Sequence, residues 1–486
     1  MSGDLRRAAY RGGRWGLASS LLQQLGSMAT TLLLARRLTP AEFGIVAAAQ
    51  AVIGLTMLIT DAGLGASIVA AGERDERTLA SLWWVSVGAG VAGFAIVAGA
   101  SQPIAAALGV TAAAPYLVAS AATLVSTMAQ VVPRALLSRD LRFEAMYGAD
   151  LAGAGVYFVV QTVLVLATDL GAWVVILGLA AMDLTKLVWT LAAAAWRPVV
   201  AFDREAVAPH LRFGVRYLAT TLAGYASRSV DIWAAGRLLG APALGAYYIA
   251  FVLPTVVRQR FTFVLNQVGF PVLARITDTA QLRSSFLELA TMVTLPLLPA
   301  LTGLALVAEP VVEVFFGDQW DAAVAPLRLL ALAAAVDALS ALAMPLLMSR
   351  SRTGVVLRIQ LLRVGALVIG LLVVWGVGGD LSAIAAAVLV AAALALVASI
   401  LLSVPLLELR PPDLVRVVWP ALVPTIAMVA AVGTLLPTLP ADLHAAARLV
   451  ALVGVGVAVH QALAWTAFRA TYLTAVREGR RLLVGR

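Results

Sequence analysis

The sequence contains no cysteine. That excludes disulfide staples, a thiol nucleophile and any thiolate metal site. Charge is scarce: 13% of residues are Asp, Glu, Lys or Arg, against about 25% in a soluble globular domain. Lysine is nearly absent, so the net charge of +9 rests on arginine. The three histidines, His210, His444 and His460, are scattered without ligand spacing. There is no Walker A loop to hydrolyse ATP. Neither a Ser/His/Asp arrangement nor a pair of acids in a large loop can be argued. No cofactor, no metal and no enzymatic step are therefore expected. What abounds is hydrocarbon. Hydrophobic residues make up 62% of the chain, and the mean hydropathy is +0.95. Such a composition describes an all-α integral membrane protein with many spans. In that setting the arginines report topology, and nucleic acid is not an expected partner.

Fourteen apolar stretches are long enough to cross about 30 Å of hydrocarbon as helices. They run over 14–36, 41–70, 79–100, 113–138, 143–168, 171–194, 212–236, 243–274, 284–307, 323–348, 353–375, 381–405, 417–437 and 444–468. Nothing between them is long enough for a soluble domain. The start, with Arg6, Arg7, Arg11 and Arg14, resembles a signal-peptide n-region. The apolar stretch after it is too long for an h-region and lacks a clear small-residue cleavage site. It is read as an uncleaved first span with its N-terminus in the cytoplasm. An even number of spans returns the C-terminus to the same side. Under that topology 27 of the 35 lysines and arginines are cytoplasmic, 5 are outside and 3 are embedded, a strong positive-inside asymmetry. The basic tail, Thr474 to Arg486, suits a surface of anionic lipid.

The chain also repeats itself. Arg14-Trp15-Gly16 opens the first span and Arg212-Phe213-Gly214 the seventh. The first span is followed by Thr39-Pro40-Ala41-Glu42-Phe43-Gly44, and the seventh by Gly240-Ala241-Pro242-Ala243-Leu244-Gly245. The offset, about 200 residues or six spans, makes the copies parallel. Parallel six-span halves place a substrate site at their interface. The expected organisation is a six-helix lobe over 1–195, a cytoplasmic linker over 196–211, a second six-helix lobe over 212–405, and two further helices with a basic tail over 406–486.

Charges inside apolar spans are costly and mark transport paths or internal pairs. Arg228 lies 16 residues from Arg212 and 9 from Arg237, about 24 Å and 13 Å along a helix. Thr221, Gly224, Arg228, Asp231 and Ala235 share one small, polar face at i+3/i+4 spacing. Arg228 suits a phosphate-bearing substrate, because guanidinium offers paired donors to phosphate oxygens. A self-satisfied Arg228–Asp231 pair is the competing reading. Arg258 and Arg260 follow in the eighth span, about 20 Å and 23 Å from its outer end at Gly245. Two positions apart, they project on nearly opposite faces. One of them is expected to serve the cavity. Asn266 and Gln267 on the same helix could bind sugar hydroxyls, and interhelical hydrogen bonding is an equal use of such amides. Asp61, Asp150, Asp183, Glu288 and Asp337 are candidate coupling carboxylates. Capping or pairing with a nearby cation is their simpler use.

Several pieces occur in a recognisable order: Leu32 to Val69, Ala135 to Met146, "GFPVLARI" (Gly269 to Ile276) and "FFGDQWDAAVAPLRLLAL" (Phe315 to Leu332). The chain thereby resembles the Wzx-type polysaccharide flippases of the multidrug/oligosaccharidyl-lipid/polysaccharide exporter superfamily. The resemblance implies two six-helix lobes around a central cavity. It also implies transfer of an undecaprenyl-pyrophosphate-linked oligosaccharide from the inner to the outer leaflet of the bacterial cytoplasmic membrane by alternating access. The implied partners are that glycan, membrane lipids and, as a further candidate, the polysaccharide polymerase machinery. The alternatives are a peptidoglycan lipid-precursor flippase and, in another class, a membrane glycan polymerase or ligase. The longest outer connection, Ala308 to Ala322, is short and apolar, which disfavours the last. Embedded arginines would repel organic cations, which disfavours a multidrug antiporter.

Overall fold

The computed structural model describes residues 28–61, 63–264, 278–350, 352–403, 411–440 and 443–469, with single positions at 22, 23, 26, 273, 276, 472 and 473. The side chains at 213–217, 219, 220, 223, 226–228, 260–264, 349, 353 and 411–417 lie outside that description. Among the described residues the regular structure is entirely helical. Backbone donors and acceptors in lipid must be satisfied within each span, which a helix does and an open sheet does not. Among the described residues, twelve helices are long and apolar enough to cross a membrane. The predicted second to sixth and ninth to fourteenth spans each match one of them. The seventh and eighth share one 61-residue helical stretch, broken at Gly240. Most of the predicted first span lies outside the described residues, as do Asn266 and Gln267.

Two compact units emerge, Met1–Gly245 and Ala246–Arg486. The first contains α1 (Pro40–Asp61), α2 (Leu64–Ala71), α3 (Glu76–Gly99), α4 (Ser101–Ala107), α5 (Ala114–Ala121), α6 (Thr123–Ala129), α7 (Val131–Arg139), α8 (Phe143–Ala167) and α9 (Trp173–Ala194). It ends within α10 (Arg204–Val264). Helix α1 starts at a reciprocal capping box. The Thr39 backbone N–H donates to the Glu42 carboxylate at 2.8 Å, and the Glu42 N–H donates to the Thr39 hydroxyl at 3.3 Å. Pro40 sits at the first turn, where its missing donor costs nothing. Inside this unit α8 packs on α9, α3 on α6 and α2 on α7. Leu64, Ile68, Leu79, Leu82, Val132, Leu136 and Val207 form one buried cluster.

The second unit holds the rest of α10, then α11 (Thr279–Leu306), α12 (Ala308–Phe315), α13 (Val324–Ala341), α14 (Ala343–Ser349), α15 (Thr353–Val377), α16 (Leu381–Ser403), α17 (Pro411–Leu435) and α18 (Ala445–Ala467). Here α13 packs on α16, α11 on α17 and α17 on α18. Glu309 of α12 accepts from Arg328 and from Arg448, each at 3.1 Å. That ion-pair network fastens the start of α18 to this unit.

Repeat-equivalent details recur in the two units. Asp75 caps α3 by accepting from the Thr78 N–H at 2.8 Å, and Asp278 caps α11 by accepting from the Gln281 N–H at 2.7 Å. Pro103 and Pro310 are each the third residue of a short helix, α4 and α12. Each short helix is followed by a glycine at positive φ, Gly109 at 72° and Gly317 at 97°. A 3-10 turn then leads into the next span, Thr111–Ala113 in one unit and Asp318–Ala323 in the other. Arg139 donates to the Glu73 carbonyl, and Arg350 donates to the Ile276 carbonyl. The same fold is thus built twice along one chain.

Two helix starts within the first unit also touch. A methyl group on Gly44 would overlap the backbone carbonyl of Ala241, and one on Gly245 would overlap that of Pro40. Equivalent helix starts therefore cross reciprocally, backbone against backbone. The chain enters the second of these starts through Gly240, at φ 80° and ψ −176°, a region open essentially to glycine alone.

Candidate functional site

Among the described residues, two clusters of opposite charges lie within the spans, one in each unit. In the first, the guanidinium of Arg134 on α7 grips Asp150 on α8 with two hydrogen bonds, at 2.8 and 2.5 Å. Lys186 on α9 approaches the same carboxylate at 3.9 Å. One turn away on α9, Asp183 accepts from the Thr127 hydroxyl at 3.0 Å, and the Gln130 amide donates to its backbone carbonyl at 3.3 Å. Two cations face two carboxylates, so the cluster is formally neutral. That balance suits a brace between helices, since buried charges are tolerated where they are paired.

The second cluster brings two cations to one carboxylate. Arg363 on α15 donates to Asp337 on α13 at 2.7 Å. Their side chains are 20% and 11% exposed. Arg258, in the second half of α10, also acts electrostatically on Asp337. Two guanidinium groups thus act on one carboxylate inside the spans. The Nε of Arg363 is buried and has no hydrogen-bond partner among the described residues. Such an arrangement can accept an anion by charge-assisted, forked hydrogen bonds.

The sequence-predicted residues are distributed as follows. Arg258 is half-buried and joins the second cluster. Arg260 and Arg228 lie on helical backbone, with side chains outside the description. Asp231 is 3% exposed and Ala235 is fully buried, so the face assigned to the interior is buried at these two positions. Three cations that the topology count places at cytoplasmic helix ends, Arg134, Lys186 and Arg363, instead lie within helices and pair with carboxylates. Arg363 is ten residues into α15, about 15 Å along it. Hydropathy alone could not promote it to an embedded charge, because Arg350, Arg352 and Arg358 precede it closely. Its pairing with Asp337, 26 residues earlier, was beyond any local pattern. The pairing role expected of the span carboxylates is what the structure shows at Asp150 and Asp337.

Outside the spans, two carboxyls are held below their usual range. The Thr78 hydroxyl and backbone N–H do so for Asp75, and the Arg139 guanidinium does so for Asp140.

Comparison with known proteins gives a consistent picture. The profile of a family described as "Polysaccharide biosynthesis protein" matches residues 33–325. Lipopolysaccharide biosynthesis protein WzxC of Escherichia coli (strain K12) is 27% identical over 380 residues, covering 76% of each chain. Succinoglycan biosynthesis transport protein ExoT of Rhizobium meliloti (strain 1021) is 28% identical over 306 residues, covering 62% of this chain and 61% of its own. Among solved structures, the Lipid II flippase MurJ in an inward closed conformation superposes with a TM-score of 0.73, over 94% of this chain and 99% of that one, at 11% identity. That last likeness speaks for the fold alone. The resemblance read from the ordered sequence pieces agrees with these matches.

Proposed function

Because the chain belongs to the family described as polysaccharide biosynthesis protein, we propose that it flips an undecaprenyl-pyrophosphate-linked oligosaccharide from the inner to the outer leaflet of the bacterial cytoplasmic membrane. The movement is alternating access, it serves surface polysaccharide assembly, and no bond is made or broken. The word "transport" in the name of ExoT supports this reading. The observation that carries it is that Arg258 and Arg363 both act on Asp337 within the spans, with the Arg363 Nε buried and without a hydrogen bond among the described residues. A pyrophosphate cannot cross hydrocarbon unaided, because an isolated ion there is prohibitively costly. The buried Nε–H of Arg363 offers such an ion a charge-assisted donor.

In this reading both termini are cytoplasmic, and the lobes span 1–195 and 212–405 around a central cavity. Arg258, with Arg363 and Asp337, captures the headgroup from the inner leaflet. Arg228, nearer the outer end of its helix, receives it next, with Asp231 setting its geometry. Arg260, Asn266 and Gln267 complete the polar lining on the same chain segment. Membrane lipids surround the protein, and the polymerase machinery takes over the product.

The test is complementation of a deletion strain, with the lipid-linked glycan assayed on each leaflet. Arg258→Ala should leave the glycan on the cytoplasmic leaflet at normal protein abundance. Arg258→Lys should rescue only in part, because a point charge lacks the fork. Export at the parental rate by Arg258→Ala would remove the anion role.

A further inference from the structure

The connection between α9 and α10 is laid along α3 in an unusual way. The Trp84 indole N–H donates to the Val199 carbonyl at 3.1 Å. Three residues back along α3, the Ser81 hydroxyl lies 3.5 Å from the Ala201 carbonyl and accepts from the Asp203 N–H at 2.8 Å. Residues 199–203 are therefore stapled through their backbone, running alongside the first turns of α3. Asp203 then caps α10, its carboxylate accepting from the N–H groups of Glu205 and Ala206 at 2.9 and 3.1 Å.

The staple takes the backbone of residues 199, 201 and 203 and leaves the side chains of Val200 and Phe202 outward, with Val199 beside them 47% exposed. Val200 is 95% exposed and Phe202 is 67% exposed. Two large apolar side chains held outward on a fixed backbone are costly in water, about 25 cal/mol for each Å² left wet. Their height on the molecule suggests what covers them. Trp84 lies eight residues into α3, about 12 Å along the helix. It is itself 41% exposed. Tryptophan half-exposed near a span end belongs to the aromatic belt at the headgroup level. Exposed arginines flank the apolar pair, Arg77, Arg197 and Arg204, together with the exposed acids Asp203 and Glu205. Arg77, Phe202, Asp203, Arg204 and Glu205 line a recess of about 340 Å³.

We propose that residues 199–204 form a membrane-surface anchor, in which Val200 and Phe202 enter the adjacent leaflet while Arg77, Arg197 and Arg204 engage anionic lipid headgroups. The outward apolar pair beside the half-exposed Trp84 selects a lipid surface over a protein partner, and with the Asp203 carboxylate occupied as a helix cap the three arginines outnumber Glu205 toward anionic headgroups. The anchor fixes the start of α10 to the bilayer as well as to α3, so the leaflet's charge can act on the helix that carries Arg228 and Arg258. Which leaflet is meant rests on the cytoplasmic placement of this connection.

The absence of cysteine makes the test direct. Single cysteines at Val200, Ala201, Phe202 and Asp203, each carrying a nitroxide, are compared in vesicles of phosphatidylethanolamine and phosphatidylglycerol. The expected result alternates: labels at 200 and 202 are relaxed by oxygen and shielded from a nickel chelate, and the label at 203 shows the reverse. Arg197→Gln with Arg204→Gln should move the 200 and 202 labels toward water. Replacing phosphatidylglycerol with phosphatidylcholine should do the same. Equal nickel access at 200, 202 and 203 would overturn the anchor and would point to a protein-docking face. Insensitivity to the arginine changes would overturn the headgroup part. Sidedness is read separately, from labelling of Asp203→Cys by an impermeant thiol reagent in intact cells. Labelling there would reverse the topology without touching the anchor.

Discussion

A carboxylate shared by two cations behaves differently when it is lost than when it is matched elsewhere. Asp150 holds Arg134 and Lys186, and removing it strands both inside the first unit. Breaking a buried pair in this way costs about 3–5 kcal/mol. Because the Arg134 side chain is 36% exposed, the low end of that range, about 3 kcal/mol, is expected for Asp150→Ala. Thermal unfolding of the purified protein measures it. Exchanging the partners, Arg134→Asp with Asp150→Arg, should recover much of the loss if the cluster is a brace. At Asp337 the outcome differs, because neutralising it takes from Arg363 the carboxylate it donates to and leaves that guanidinium to compete for anion. Asp337→Asn should therefore weaken the fold and slow release of the substrate. Fluorescence or radiolabel retention on the purified carrier would report the slower release. The solvent-side acids give a pH signature. Arg139 depresses the Asp140 carboxyl below its ordinary value of 3.8. The stabilisation is thus fully present above that value and is lost as pH falls below it, through the folded-state value. Asp140→Asn should flatten this part of the acid unfolding curve, and a curve unchanged by the substitution would discount the pair.

At the scale of elements, hydropathy periods were enough to place eleven spans one for one, because length and apolarity are local properties. The break between the seventh and eighth spans was also legible, since Gly240, Pro242 and Gly245 punctuate the run. What escaped was every relation between helices distant in sequence. The Arg134–Asp150 and Arg363–Asp337 grips needed the packing of α7 on α8 and of α13 beside α15. The duplicated loops were equally hidden, because Pro103-x₅-Gly109 and Pro310-x₆-Gly317 differ in length and share little else. The reciprocal glycines make a prediction at this scale. Gly44→Ala and Gly245→Ala each drive a methyl into a backbone carbonyl that cannot rotate aside. Both should lower the melting temperature and do so to similar extents, since the contacts are equivalent. Gly88→Ala, in the same unit with open space around it, should be neutral or stabilising by up to about 1 kcal/mol. Matching behaviour of all three would mean that the helix starts do not cross as described.

For the whole molecule, the decisive quantity is which side each connection faces, since flipping has a direction. The pairings draw on both sides of the assigned asymmetry: Arg134, Lys186 and Arg363, counted inside, pair within the spans. Of the five cations assigned outside, Arg328 and Arg448 share Glu309, so the outward surface carries even less free positive charge than the count implies. The side assigned inside keeps Arg74, Arg77, Arg197 and Arg204 exposed. Retention of unpaired cations in the cytoplasm is what orients spans during insertion, and pairing on the outer side removes the cost of exporting them. The prediction concerns two loops that the fold makes comparable. Asp318, at the turn after Gly317, should be outside, and Asp203, at the start of α10, inside. With single cysteines at each, an impermeant maleimide should label Asp318→Cys in intact cells and Asp203→Cys only in inverted vesicles. Labelling of both from one side would break the six-span offset between the halves, and with it the parallel repeat. Labelling with the sides exchanged would keep the repeat and invert the transporter, so that the Arg363–Asp337 cluster would be approached from the outer leaflet and the direction of flipping would have to be reassigned.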